Sequence, residues 1–147
     1  MHLLAKFWSL TRREKKFLCE ASILLSVSNA CVKAIAFRHI DKFLRAHWND
    51  CLQGGTDREQ EIRLIQRSIL RAAKVLPWQS LCLCHSIAEY IMLRRRGIPA
   101  VIFMGVRFSD DCSLDGHAWV DTDATMKDKD SENSTFKPVI TIGAGSC

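Results

Sequence analysis

The chain has 147 residues, of which 48% are hydrophobic and 25% are charged. This length suits one compact domain, and the composition excludes a disordered chain, a collagen-like chain and a protein with many membrane spans. The seven cysteines form an odd number and no secretion signal is evident. Both features argue against a disulfide framework and for reduced thiols, so a cytoplasmic protein is predicted.

The charges are unevenly distributed along the chain. Residues 1–100 carry 17 Lys and Arg against 8 Asp and Glu, whereas residues 101–147 carry 4 against 8. A basic body is typical either of nucleic-acid binding or of solvated helix faces. The sequence contains no zinc-finger spacing, RNA-binding aromatic signature or glycine-rich phosphate loop. Solvated helix faces are therefore predicted, without a nucleic-acid partner.

The first predicted helix covers residues 12–36. Thr11 and Glu14 have capping-box spacing immediately before a largely apolar segment. Polar residues interrupt this segment, so its apolar stretches are shorter than the ~20 residues that span a bilayer. No stable membrane span is predicted. We expect the helix to pack in the core, or to dock a partner, through an apolar set of Leu24, Leu25, Val27, Val32 and Ile35.

Three more helices are predicted before Gly97. The second covers residues 39–52, and the third begins after the capping-box spacing of Thr56 and Glu59. The fourth covers residues 80–96 and is expected to stop at Gly97. The apolar residues expected to share one side are Ile40, Phe43, Leu44 and Trp48 in the second helix and Ile62, Ile65, Ile69, Ala72 and Leu76 in the third.

The pattern then changes from helical to extended. Residues 100–108 and 117–122 are predicted strands, separated by a polar turn over residues 109–116. Because the connection is short, the two strands should pair antiparallel. Residues 138–142 form a third possible strand. Helices followed by a small antiparallel sheet define an α+β fold class.

Cys82 and His117 are the candidate catalytic residues. Cys82 lies in the first turn of a predicted helix, where the helix dipole and the backbone N–H groups favour a thiolate. An imidazole such as that of His117 can hold a thiolate as an ion pair, and a carboxylate can orient the imidazole. Taken alone, however, a helix cysteine is more often a packing residue, and a strand histidine is more often structural.

The other cysteines have different expected environments. At 100° per residue, Cys84 points roughly 160° away from Cys82 on the helix. Structural zinc is an alternative, because Cys82, Cys84, His85, Cys112 and His117 are suitable ligands, although their spacing differs from the usual pairs. The cysteines expected to pack within helices are Cys19, Cys31 and Cys51, and Cys147 is expected to be a tail thiol.

Four motifs carry a family resemblance. They are C-L-x-x-S-x-A from Cys82, L-R-R-R-G-I-P-A from Leu93, G-V at Gly105 and H-A-W-V-D from His117. In this order and spacing they resemble the B proteins of lasso-peptide biosynthesis. The closest resemblance is to the stand-alone leader-peptidase half of that family, which has a transglutaminase-like, papain-related core. The resemblance extends over residues 77–139.

The resemblance implies catalytic roles for three residues. Cys82 corresponds to the nucleophile and His117 to the general base and acid. The third member is an Asp, for which Asp128 is preferred over Asp130 from the register of the downstream F-x-P sequence. The chain departs from the family where Asp121 replaces the usual Glu.

The resemblance also implies an organisation and a function. One domain over residues 1–147 would comprise a helical N-terminal part (1–55), a transglutaminase-like catalytic core (56–142) and a tail (143–147). The expected activity is removal of the leader from a ribosomally synthesised lasso-peptide precursor, without a cofactor. The implied partners are the precursor, a small leader-recognition protein and an ATP-dependent, asparagine-synthetase-like cyclase. A transglutaminase-like acyl transferase and a non-catalytic, zinc-stabilised binding module are the alternatives.

Overall fold

A computed structural model describes residues 10–47, 58–78, 81–108, 113–122 and 135–143. Within these residues, helices precede an antiparallel sheet of three strands, which confirms the α+β class. The helices are α1 (Arg12–Ala34), α2 (Phe37–His47), α3 (Arg58–Val75) and α4 (Cys82–Arg94), and the strands are β1 (Val101–Phe108), β2 (Leu114–Asp121) and β3 (Lys137–Ile142).

The predicted capping box at the start of α1 is confirmed. The Thr11 hydroxyl accepts a hydrogen bond from the backbone N–H of Glu14, and the Glu14 carboxylate accepts one from the backbone N–H of Thr11 at 2.9 Å. These bonds hold the pKa of Glu14 below its usual value. The equivalent prediction at Thr56 lies outside the described residues.

The hairpin is longer than the sequence pattern predicted. Leu114 pairs with Phe108, and Gly116 pairs with Val106, so β2 begins three residues before His117. The polar residues at the start of β2 suggested a turn, but pairing with β1 keeps them extended. The predicted turn over residues 109–116 was therefore too long.

β1 is the central strand of the sheet. The strand order is β2-β1-β3, and both neighbours run antiparallel to β1. The pairing of β1 with β3 shifts register between Met104 and Gly105. Side chains alternate between the two faces along each strand, so Ile102 and Ala118 face the buried side while Phe103 and His117 lie on the other.

The core lies between the helices and one face of the sheet. α1 packs on α3 and α4, and α4 lies against β2. The third-helix prediction is confirmed at Ile62, Ile65, Ile69 and Ala72, which are all buried. The largest fully buried side chains in this core include Leu25, Leu44, Ile65, Tyr90, Met92, Leu93, Ile102 and Ile142.

One side of α1 is exposed. Leu25 is buried, but Val27 is 52% exposed and Ile35 is 44% exposed, so core packing is wrong for the last two. Cys19 is also exposed, because it lies on the outer side of the helix, and its predicted packing role is wrong.

By length and composition, α1 is the one helix among the described residues that could cross a membrane. The core helix of a soluble protein meets the same criterion, and α1 buries Phe17, Ala21 and Leu25 within the domain.

Candidate active site

Helix α4 begins at Cys82 without a side-chain cap. Its N-cap residue, Leu81, is extended (φ −66°, ψ 152°) and its side chain accepts no hydrogen bond. The first helical bonds run from the N–H groups of Cys84 and His85 to the carbonyl of Leu81, at 2.9 and 3.3 Å. The N–H groups of Cys82 and Leu83 precede these bonds and have no helical acceptor. The start of α4 therefore offers backbone donors and a positive dipole end beside the Cys82 thiol.

Cys82 and Cys84 differ in exposure although they are two residues apart. Cys82 is half-buried, whereas the Cys84 side chain has no exposed surface. Burial raises the pKa of the Cys84 thiol, and this outweighs a lowering by the backbone N–H donors of the helix start. A neutral, enclosed thiol is a poor nucleophile. Of these two cysteines, Cys82 is the one suited to chemistry.

His117 lies in the middle of β2, directly opposite Gly105 of β1. Its ring is stacked with that of Trp119, with centroids 6.1 Å apart and an interplanar angle of 16°. It also contacts the ring of Phe136, at 5.2 Å between centroids. These contacts on two sides restrict the orientation of the imidazole.

An aromatic cluster surrounds His117 on the sheet face away from the helices. Phe103 stacks on Trp119 at 5.7 Å, and the guanidinium of Arg107 lies over Phe136 at 4.7 Å. All of these rings are half-buried. We use the name aromatic cluster for the set of Phe103, His117, Trp119 and Phe136.

Gly105 makes room for this cluster. A Cβ atom at this position would lie 3.0 Å from two atoms of the Trp119 indole and 2.8 Å from the backbone oxygen of Lys137. Real Cβ atoms essentially never show the 2.8 Å contact, and the 3.0 Å contacts are unusually tight, so a larger residue would displace the β3 backbone or press on the indole. The packing of the aromatic cluster therefore explains why the G-V motif has a glycine at this position.

The structure places Cys82 and His117 on adjoining elements, because α4 lies against β2. No hydrogen bond between the thiol and the imidazole is present in the described part of the chain. Strand alternation puts His117 on the face of the sheet opposite the buried one, so the described contacts do not bring its imidazole to the Cys82 thiol. Asp128 and Asp130 lie outside the described residues, and the roles of all three candidate residues stay predictions.

Two further ionisable side chains share the Cys82 side of α4. Burial lowers the pKa of His85. Burial also raises the pKa of Glu89 to about 7, and the hydrogen bond that Gln66 Nε2 donates to Glu89 at 2.9 Å opposes part of this rise. Glu89 is therefore a proton-binding group near neutral pH at the junction of α3 and α4.

The predicted zinc ligands are not brought together in the described residues. Among these, no three His, Cys, Asp or Glu side chains are close enough to hold a metal ion. Cys112, one of the five candidates, lies outside them. The described geometry gives no support to the zinc alternative.

Sequence analysis did not identify Phe103 and Phe136 as neighbours of His117. Alternation along a strand places Trp119 beside His117, but Phe136 reaches the cluster through the non-local pairing of β1 with β3. The sequence signal that could have pointed to Phe136 was the downstream F-x-P sequence. It indicated how this chain aligns with the resembled family, but not which residues Phe136 contacts.

Comparison with known proteins identifies the family of this domain. The profile of the Transglutaminase-like superfamily matches residues 24–141, which cover most of the chain. The protein belongs to this superfamily, whose domains are generally cysteine-dependent enzymes. No curated protein and no solved structure gives a significant match.

Proposed function

We propose that this protein is a cysteine peptidase that removes the leader peptide from a ribosomally synthesised lasso-peptide precursor. The observation that carries the proposal is Cys82 at the uncapped start of α4, packed against the strand that bears His117, within a transglutaminase-like domain. The four motifs that resemble the stand-alone B-protein peptidases supply the substrate class.

In the proposed mechanism, His117 accepts the Cys82 proton and the thiolate attacks the last carbonyl of the leader. The backbone N–H groups of Cys82 and Leu83 donate hydrogen bonds to the oxyanion. His117 then protonates the leaving amine, which becomes the N-terminus of the core peptide. Water hydrolyses the thioester, releasing the leader acid and restoring the thiol. Asp128, with Asp130 as the alternative, orients the imidazole.

The proposed partners follow from the same resemblance. A small leader-recognition protein presents the precursor, and an ATP-dependent, asparagine-synthetase-like cyclase consumes the new N-terminus. The nucleophile needs a reduced thiolate, so the proposed compartment is a bacterial cytoplasm. No cofactor takes part in the proposed steps.

The test is leader cleavage by purified protein reconstituted with a precursor peptide and the leader-recognition protein. Cys82→Ala should abolish cleavage, whereas Cys84→Ala is the matched control from the same helix and should retain it. Cleavage by the Cys82 variant together with loss of cleavage in the Cys84 variant would refute the assignment. Product masses with and without an added primary amine separate hydrolysis from acyl transfer.

A further inference from the structure

Three ionisable side chains form a row on one side of α4. Cys82, His85 and Glu89 follow one another at spacings of three and four residues. At 100° per residue they lie within about 60° of one another around the helix axis. Neighbours at these spacings have Cβ atoms about 5–6 Å apart, so the thiol can reach the imidazole and the imidazole can reach the carboxyl. We call these three residues the α4 row.

The α4 row lies on a half-buried side of the helix. Its three side chains are all half-buried, whereas four of the residues between them are buried, namely Cys84, Ser86, Ile87 and Ala88. Reactive cysteines are found in partly exposed positions, since a substrate or reagent must reach the sulfur. The row therefore combines access from solvent with an environment in which charges interact strongly.

The carboxyl of Glu89 is anchored to α3. Gln66 Nε2 donates a hydrogen bond to Glu89 Oε1 at 2.9 Å, which holds the side chain at the far end of the row from the start of α4. This is the only hydrogen bond of the carboxyl in the described part of the chain, so Oε2 is available to a donor one turn back on α4. His85 occupies that position.

The surroundings of the row keep the imidazole neutral and let the carboxyl ionise near pH 7. Burial lowers the pKa of His85, and it raises the pKa of Glu89 to about 7 against the effect of Gln66. Among the described residues, no charged group of α1, α3 or the sheet shifts either pKa, and Lys33 of α1 acts on the Cys84 thiol instead. A neutral imidazole accepts a proton, and an ionised carboxyl beside it stabilises the imidazolium.

We propose that His85 accepts the thiol proton of Cys82 before substrate binds, and that Glu89 is a positioning residue that acts through His85. The S–H bond of Cys82 breaks and an N–H bond forms on the imidazole, which leaves a thiolate beside an imidazolium. The ionised carboxylate of Glu89 then stabilises the imidazolium through its charge. This role rests on Cys82 being the nucleophile of the proposed function, and it provides the base that the described contacts of His117 do not bring to the thiol. The steps proposed for His117 follow once the leader is bound.

The experiment measures how fast iodoacetamide alkylates Cys82 at several pH values in the purified protein without substrate, with the label assigned to Cys82 by tandem mass spectrometry. In the wild type the rate should rise around pH 7, as Glu89 ionises. His85→Gln should lower the rate at pH 7.5 about tenfold, the lower end of the effect that a nearby opposite charge has on ionisation. Glu89→Gln should lower it to a similar extent at pH 7.5 but little at pH 6, where the wild-type carboxyl is protonated.

Two matched controls make the same changes at exposed residues outside the α4 row. His39→Gln on α2 and Glu59→Gln on α3 should leave the alkylation rate unchanged. A purely structural role of Glu89 would alter the rate equally at pH 6 and pH 7.5, so the pH profile separates that role from the proposed one.

Three results would overturn the proposal. They are unchanged alkylation in the His85 and Glu89 variants, an equal fall in rate at both pH values for Glu89→Gln, and a rate that depends on His117 rather than on His85. Leader cleavage that survives Cys82→Ala would instead refute the proposed function. The two failures are distinguishable because alkylation needs neither the leader nor a partner protein.

Discussion

The helical layer and the outer face of the sheet are stabilised in different ways. The helices bury aliphatic side chains against one another, and Arg96 joins α4 to α1 and α3 by pairing with Glu20 and Glu61. The outer face of the sheet has half-buried rings stacked around His117 instead. Aliphatic burial contributes mainly stability, whereas ring stacking also defines orientation. The sheet face therefore restricts the orientation of the His117 ring through contacts on two sides.

The largest effect is expected from a substitution at Arg96, which joins the helices of the helical layer. Arg96→Ala should destabilise the domain by about 3 kcal/mol, because it leaves a mostly buried Glu20 without its enclosed partner. It also removes the guanidinium stacked 4.3 Å above Phe17. Urea unfolding measures the change.

Arg95→Ala is the control for this prediction. Arg95 pairs with the same Glu20 but is 57% exposed, so its loss should change the free energy of unfolding by less than about 1 kcal/mol. Equal effects of the two substitutions would show that the helical layer does not depend on the enclosed pair.

The next largest effect is expected from a substitution at Gly105, on the outer face of the sheet. Gly105→Ala should cost about 2 kcal/mol, because its Cβ overlaps the Trp119 indole and a backbone oxygen that cannot move without the strand. The near-UV circular dichroism of the folded protein should change as well, since Trp119 shifts against Phe103 and His117.

Gly116→Ala provides the matched control on the neighbouring strand. A Cβ atom at Gly116 meets nothing within 4 Å, so stability should change by less than about 0.5 kcal/mol. If both variants kept the wild-type near-UV spectrum and stability, close packing of Trp119 over Gly105 would be refuted.

The two regions also differ in how far the sequence predicted them. The helical layer follows from local signals, such as the capping box at Thr11 and the apolar spacing of Ile62 to Ala72, because neighbouring residues determine a helix. The start of α4 at Cys82 was predicted to within two residues. Apolar spacing alone did not reveal that Val27 lies on an uncovered side, since burial depends on what packs against the helix.

The aromatic cluster depends on contacts between distant parts of the chain. Trp119 and His117 share a face by strand alternation, which is a local property. Phe136 reaches them only because β3 pairs with β1, and a register shift at Gly105 sets its position. No short-range pattern contains that information. The candidate pair of Cys82 and His117 came from motif order, which specifies residues but no distance.

The third prediction concerns how stability depends on pH through Glu89, at the junction of α3 and α4. The pKa of Glu89 is about 7 in the folded protein, above its usual 4.5, so the folded state binds the proton more tightly. The contribution of Glu89 to stability is therefore fully present below pH 4.5, is lost between pH 4.5 and 7, and stays lost above pH 7. Glu89→Gln should remove this loss and be more stable than the wild type at pH 8, by about 3 kcal/mol, with little difference at pH 4.

The control for this prediction is Glu59→Gln on α3. The Glu59 side chain is 66% exposed, so its substitution should shift stability equally at both pH values. Thermal unfolding at several pH values measures both variants. A Glu89→Gln curve parallel to that of the wild type from pH 4 to 8 would mean that Glu89 titrates normally.

The smallest effect concerns the local stabilisation of α1. Thr11→Ala removes the hydroxyl that caps the N–H of Glu14 and should cost about 1 kcal/mol in thermal unfolding. Thr11→Ser keeps a hydroxyl at the N-cap and should retain most of the stability, so an equal loss in both variants would argue against the cap. A loss smaller than that measured for Arg96→Ala would show that contacts between helices stabilise the helical layer more than its local N-cap does.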